Sequence, residues 1–333
     1  MSEFRDSTVS LSMVASWSWG SSLLVGISIM QGYGPGPFAI WALFNITAVP
    51  VFILVADRTE FVSQVRALRP IFITMIALQI FVVFINLQAI FEGASGGLAF
   101  DSATLVNADI GQAVALALGL GIVVAIHRWG FTASVVSDQI QYAIQLCGCF
   151  ALVVVAIAYY GLPMSQAADA TADGYLWAVW TGLGILAAPY LDAQQHQRVE
   201  YISSSAAGLL FGVGFGVYLV GVALAGSVLV ATAPALTLIL LVPVLAVTTS
   251  TLDSAVAALQ YLVGRRPATV LAGSAVLAWP LVQSLGVLGI FTLYSSGRLV
   301  VVTTALVYLV VWTRYDIPAI LRRFWTASTI PRP

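Results

Sequence analysis

The stretch Ala15-Ser16-Trp17-Ser18-Trp19-Gly20-Ser21-Ser22 lies inside the first long apolar segment of the chain. It carries four serines where a membrane span is ordinarily apolar. Polar groups are expensive in lipid and are kept where they serve a purpose. The stretch therefore reads as an interruption of a spanning helix. A second interruption follows in the sixth apolar segment, at Gly182-Leu183-Gly184 and Ala187-Ala188-Pro189. Pro189 brings no backbone N–H, which leaves a nearby carbonyl without its helical partner. Taken singly, either stretch could equally be close packing of small residues between helices. Their matching places, first and sixth, favour two discontinuous helices in two related halves.

Working outward, a span needs about 20 apolar residues. Ten such segments are expected, near 10–31, 35–56, 70–91, 109–127, 134–160, 175–195, 203–230, 235–262, 268–290 and 295–313. A half with an odd number of spans, when repeated, must be inverted in the membrane. The predicted fold class is thus all-α integral membrane, with ten transmembrane helices in a 5+5 inverted repeat and breaks in helices 1 and 6. Residues 1–333 form one transmembrane domain: 10–160 the first repeat, 175–313 the second, and 314–333 an interfacial tail. That tail holds Arg322, Arg323, Phe324 and Trp325, and Trp312 with Trp325 fits an aromatic belt. The polar residues Met1 to Ser10 lead straight into a span, so no cleavable signal is expected.

All 13 basic residues are arginine, and their placement sets the topology. Loops holding Arg58, Arg66 and Arg69, then Arg128, then Arg198, then Arg265 and Arg266 alternate with loops that carry none. The intervening loops hold Glu92, Asp101 and Asp109, then Asp169 and Asp173, or no charge. This is the positive-inside pattern of a multi-pass protein of the cell membrane with both termini in the cytoplasm. Charged residues make up 8% of the chain and mean hydropathy is +0.98. A soluble domain carries roughly 25% charge, so little mass is expected outside the bilayer. A net charge of −1 with no basic patch beyond short loops argues against nucleic-acid partners. Cys147 and Cys149, two apart on a helix, point to different faces and read as small core residues.

The densest polar cluster is Ala246-Val247-Thr248-Thr249-Ser250-Thr251-Leu252-Asp253-Ser254 in the eighth segment. Hydroxyls and backbone carbonyls suit a hard cation. Ser250 and Ser254 share a face at i, i+4, with Thr251 beside it. Single hydroxyls would more simply bond back to the i−4 carbonyl; the cluster opposite a broken first helix favours ion binding. Asp138, with Gln139 and Gln141 after it, sits just inside the fifth segment. It either guides a cation and closes an inner gate or pairs with a loop arginine such as Arg128. Asp192 with Gln194, Gln195, His196, Gln197 and Arg198 reads as a solvated network at the end of the sixth segment. His196 has no second ligand at metal spacing, and His127 reads as interfacial. Gln79 and Asn86, seven apart on one face, line a pathway or bond a neighbouring helix. Arg298, after Tyr294-Ser295-Ser296-Gly297, is expected on the outer side, paired with Asp109 or Asp173 or acting in an outer gate.

In order along the chain, several of these stretches resemble the sodium:solute symporter family. Ala15 to Gly20, then Gly32-Tyr33-Gly34-Pro35-Gly36-Pro37-Phe38 and Trp41, is similar to that family's first two core helices. Ser137-Asp138-Gln139-Ile140-Gln141 is similar to its fifth-helix motif, and Ser250-Thr251-Leu252-Asp253-Ser254 to its eighth-helix motif. Asp192 to Arg198 and Ala246-Val247-Thr248 most resemble the urea and polyamine branch. The resemblance covers residues 10 to about 315 and implies a leucine-transporter-like fold that cycles by alternating access. It implies a sodium site with hydroxyls from Ser250 and Thr251 and carbonyls from Ala15, Ser18 and Val247. A two-residue slip would use Thr248 and Thr249 instead. Asp138 and Gln139 would line the inward ion exit. The substrate would sit near Trp17, Trp19, Ser21, Gln79, Asn86, Trp177 and Trp180. The family's additional flanking helices and the urea branch's glutamate in helix 8 are absent, with Asp253 a candidate to replace the latter.

The function expected is sodium-coupled symport of a small polar organic solute. A urea-like solute is favoured because few charges stand at the midplane of the expected spans. The partners are the solute, sodium and lipid, with a homo-oligomer or a missing subunit left open. No organic cofactor and no enzymatic activity are expected, because no catalytic pair or metal cluster stands out. The alternatives are a solute-sensing or partner-dependent membrane module, and a proton-coupled transporter of the same fold through Asp138 or Asp253.

Overall fold

The computed structural model describes residues 6–18, 20–58, 69–95, 108–160, 171–202, 205–228 and 234–312. Trp19, the side chain of Ser21, the loop charges Arg66, Asp101 and Asp169, and the tail from Arg314 lie outside the described residues. The described chain is helical, with no strand. In order, the helices are α1 (Asp6–Trp17), α2 (Gly20–Gly32), α3 (Pro35–Arg58), α4 (Arg69–Ser95) and α5 (Ala108–Tyr160). They continue as α6 (Ala172–Ala187), α7 (Ala193–Val199), α8 (Ser205–Val228), α9 (Pro234–Val263), α10 (Arg265–Ala278) and α11 (Gly286–Trp312). Among the described residues five helices are long and apolar enough to cross a membrane, or six if the bent pair α1/α2 counts as one span.

Local chemistry explains the boundaries. Gly34, at φ 83°, ends α2, and its N–H returns to the Ile29 carbonyl at 3.0 Å. Pro35 then opens α3, where its missing N–H costs nothing. Gly130 adopts φ 68°, ψ −156° inside α5 and divides it into two arms, which match the fourth and fifth segments expected from sequence. Thr171 caps α6 by accepting from the Gly174 N–H at 3.1 Å.

Both expected interruptions are breaks in the helical path. The axes of α1 and α2 are bent by 49°. Helix α6 stops at Ala187, a single 3-10 turn runs over Ala188–Tyr190, and α7 restarts at Ala193 under an Asp192 cap. A further break, marked by Pro280 and by Gly286 at φ 65°, falls inside the expected ninth segment. Helix α10 ends at Ala278, and two 3-10 turns carry Trp279–Leu285 to Gly286, the start of α11. The loop expected between 290 and 295 is therefore helix, and the true connection lies about ten residues earlier in the chain.

Helix α9 is the centre of the bundle. It packs on α4, α5, α2, α1 and α7, and 83% of its Val242–Val263 stretch is buried, against 33% of the Gln283–Ala305 stretch that runs from the preceding turn into α11. Polar residues on α9 thus face protein, not lipid. Lipid offers no hydrophobic drive for helix association, so close contact through small residues does that work. At Gly184 of α6 an added Cβ would lie 2.4 Å from the Ser295 carbonyl oxygen of α11. The stretches at 126–131, 198–202 and 260–265 gather at one end, where Phe131 stacks on Tyr201 at 5.7 Å and Gln260 bonds the Ile126 carbonyl at 3.1 Å.

Candidate functional site

Two polar centres sit at the broken helices. The first surrounds Arg198. Its Nη2 donates to Asp138 Oδ2 at 2.9 Å and to Ser254 Oγ at 2.7 Å, and Nε donates to Ser12 Oγ at 2.9 Å. Nη1 reaches the Gln194 carbonyl at 3.2 Å, and the guanidinium lies 5.6 Å from the centre of the Phe131 ring. Asp138 accepts from Ser250 Oγ at 2.6 Å and from the Ser12 hydroxyl. Ser134 and Ser137 donate to the two oxygens of Asp253 at 2.8 and 2.6 Å, and Ser254 joins Asp253 to the arginine. Arg198 and Asp138 are fully buried, and Asp253 is nearly so. The centre thus ties α1, α7, the second arm of α5 and α9 into one hydrogen-bonded unit. It holds two carboxylates against one guanidinium.

Sequence periodicity puts these groups together. Ser134, Ser137 and Asp138 stand at i, i+3 and i+4 on α5, and Ser250 and Ser254 at i and i+4 on α9. The remaining hydroxyls of the α9 cluster turn back on their own helix: Thr248 to Val244 O at 2.6 Å, Thr249 to Leu245 O at 2.7 Å and Thr251 to Val247 O at 3.0 Å. The i−4 back-bond weighed in the sequence holds for those three, and Ser250 and Ser254 depart from it. Ser18 likewise bonds Val14 O at 2.7 Å. Ala15, Ser18, Val247, Ser250 and Thr251 are all buried, on or just past two helices in contact, α1 and α9.

Several expectations are corrected here. Arg198 is not a loop charge: it is buried, because Asp138 and three serines satisfy it. Asp138 pairs with Arg198, not Arg128, which is exposed beside the Trp129 ring at 5.8 Å. The Asp192 network is buried, not solvated. Asp192 Oδ1 accepts from Gln79 Nε2 and the Gln194 N–H, both at 3.0 Å, and Gln194 Nε2 returns to Gln79 Oε1 at 3.1 Å. Asp192 Oδ2, Gln194 Oε1 and Gln195 Oε1 are buried acceptors with no hydrogen-bond partner. Gln139 ties α5 to α1 through the Thr8 carbonyl at 3.0 Å.

The second centre lies where α1 gives way to α2. A small cavity is lined by Trp17, Ser22, Asn45, Ile185, Phe291 and Arg298. Arg298, expected outside near Asp109 or Asp173, stands inside α11 and is 2% exposed. Its guanidinium lies 3.9 Å from the Tyr294 ring centre and 3.4 Å from Ser295 Oγ. The polar run Tyr294-Ser295-Ser296-Gly297 stays helical because α6 covers it, with Gly184 against Ser295 and Trp180 Nε1 donating to Ser296 Oγ at 2.9 Å.

No family model matches the chain, and no curated protein matches it.

Of the substrate residues expected from sequence, Trp17 lines the cavity and Gln79 joins the Asp192 network. Asn86 bonds back to Val82 O at 2.7 Å. Trp177 packs on Tyr33 at 5.6 Å, and Trp180 is 48% exposed on the bundle surface. Trp180 is exposed because its ring lies over α11 with only the indole N–H turned inward. Sequence reading missed Ser12 and Ser134 as site residues, took Arg198 for a loop charge and set Arg298 on the outer side. For Arg198 the signal was a charge within two turns of the break at Ala188–Asp192.

Proposed function

We propose that the chain is a sodium-coupled secondary active symporter of a small polar organic solute. Its ten transmembrane helices would form the 5+5 inverted repeat of a leucine-transporter-like fold and work by alternating access, with both termini in the cytoplasm. The observation that carries this reading is the Asp138–Arg198 centre, which joins both broken segments to α5 and α9. Ser12 in that centre and Trp17 at the cavity stand on one helix, five residues or about 7.5 Å apart. A cation held beside Ser250 and Thr251 would compete for the Ser250 oxygen and fix α1 against α9. That shift would reach the cavity through the rigid turn between Ser12 and Trp17. Sodium and solute would then strengthen each other's binding, as linkage requires. Asp192, Gln194 and Gln195 each keep a buried acceptor oxygen without a hydrogen-bond partner in the same region, and such oxygens suit a hard cation.

The test is uptake into proteoliposomes driven by a sodium gradient at equal pH. Sodium-stimulated accumulation supports the reading, and equal uptake in potassium rejects it. One observation favours a second reading, proton coupling. Asp253 stands in the same centre as Asp138 with a single guanidinium between them, so a proton could do the work of the ion. Accumulation in sodium-free medium under a pH gradient, lost in Asp253→Asn, would select it.

A further inference from the structure

We propose that the solute is an organic anion, and that Arg298 receives its carboxylate in the cavity at the α1/α2 break. The inference rests on the reading that the broken helices bound the solute site. Four observations carry it. First, a guanidinium stands in the wall of the cavity, 98% removed from solvent, on the middle of α11. Guanidinium is the side chain best shaped for two parallel bonds to a carboxylate. Second, Trp17 lines the same cavity, is 4% exposed, and leaves its indole N–H with no hydrogen-bond partner. An indole nitrogen is a donor only, so it asks for an acceptor. Third, Ser22, in the first turn of α2, lines the cavity, which sets the positive dipole end of that helix beside it. Fourth, Phe291 and Ile185 supply an apolar wall for a short carbon chain. Asn45 also lines the cavity; its amide nitrogen donates to the Trp41 carbonyl at 2.9 Å, and its oxygen is an acceptor. A guanidinium and an indole N–H beside an apolar wall match a carboxylate with a small hydrocarbon body. Urea offers four N–H donors, for which these walls supply few acceptors.

The enclosed space is about 10 Å³, room for about one water, so the walls must part to seat a solute. Charge agrees. Asp192, bonded to Gln79 and Gln194, lies within electrostatic reach of both Arg198 and Arg298. Asp138, Asp192 and Asp253 already outnumber the two arginines in this buried region. An anion binding alone would add to that excess, whereas an anion arriving with cations would not. Cation and solute thus favour each other's entry by electrostatics alone.

The test compares propionate with propionamide, which has the same shape and no charge, and with urea. Each is titrated against the detergent-purified full chain in sodium, with thermal unfolding as the readout. Wild type should respond to propionate at a concentration at least tenfold below propionamide. Arg298→Gln should bring that ratio close to one, and Arg298→Lys should keep part of it. Trp17→Phe, which removes the N–H and little else, should lower the ratio severalfold, and it decides the matter if Arg298→Gln does not fold. The proposal is overturned by propionamide or urea acting as well as propionate, by a folded Arg298→Gln that keeps the preference, or by an unchanged ratio in Trp17→Phe. Absence of response to every acid from acetate to phenylacetate overturns it too. Sodium-dependent uptake of urea or an amide alone would leave symport standing and reject the anion. Carboxylate binding without sodium-dependent flux would do the reverse.

Discussion

Arg198 Nη2 meets Asp138 Oδ2 at 2.9 Å, and neither side chain is exposed. Two charges leave water together only when their remaining bonds are met, and here serines from α1, α5 and α9 meet them. Removing one member leaves the other buried and unpaired, which costs about 3–5 kcal/mol. Arg198→Ala and Asp138→Ala should each lower stability by that amount in detergent. The pair Asp138→Asn/Arg198→Gln should lose less than the sum of Asp138→Asn and Arg198→Gln measured singly, as a double-mutant cycle on thermal or denaturant unfolding would record. Additive losses would mean that the two residues do not act as a pair.

Ser250 and Thr248 look alike in sequence and differ in what they touch. Ser250 donates to Asp138, and Thr248 donates to Val244 O on its own helix. Ser250→Ala should raise the sodium concentration for half-maximal uptake about tenfold or more, the scale of one lost ligand. Thr248→Ala should move it less than threefold. The opposite ranking would assign the ion to the slipped register of Thr248 and Thr249. (Tenfold corresponds to about 1.4 kcal/mol.)

Gly184 lets α6 approach α11, with no room for a Cβ beside the Ser295 carbonyl. Gly184→Ala should destabilise the protein by about 1–3 kcal/mol, the usual cost of overpacking. Gly297→Ala, on α11 with open space around it, should change stability by less than about 0.5 kcal/mol. Unfolding midpoints of the two variants check the contrast; equal midpoints would mean that α6 and α11 do not meet at Gly184.

Trp17 and Trp180 were both candidates for solute contact, and they now separate. Trp180 is half exposed and bonds Ser296, so Trp180→Phe should cost one neutral hydrogen bond, about 0.5–1.5 kcal/mol, with solute preference unchanged. Trp17→Phe should change solute preference. Competition assays on the two variants distinguish them, and a changed preference in Trp180→Phe would bring that residue back to the solute path.

Much of this architecture was legible in the sequence for a physical reason. Breaks in an apolar helix need Pro, Gly or hydroxyls, and the residues around Ser18 and Pro189 advertise them. The i, i+4 spacing of Ser250 and Ser254 by itself places them on a shared face. Arg198 and Arg298 were misread because charge near a segment end looks like loop. Whether such a charge turns inward depends on partners 60 residues or more away in the chain, such as Asp138 and Ser12. The α10/α11 connection was misplaced for a related reason. Tyr294-Ser295-Ser296-Gly297 has the composition of a turn, and only the covering helix α6 holds it as helix.

The most direct measurement is solute-evoked current in proteoliposomes, with sodium replaced by potassium, for the wild type and Ser250→Ala/Thr251→Ala. A panel of carboxylates, urea, amino acids and sugars supplies the solute. The account predicts inward current in sodium, none in potassium, and loss of the sodium current in the double variant. Current of equal size in potassium, or a sodium current that survives the double substitution, would contradict it.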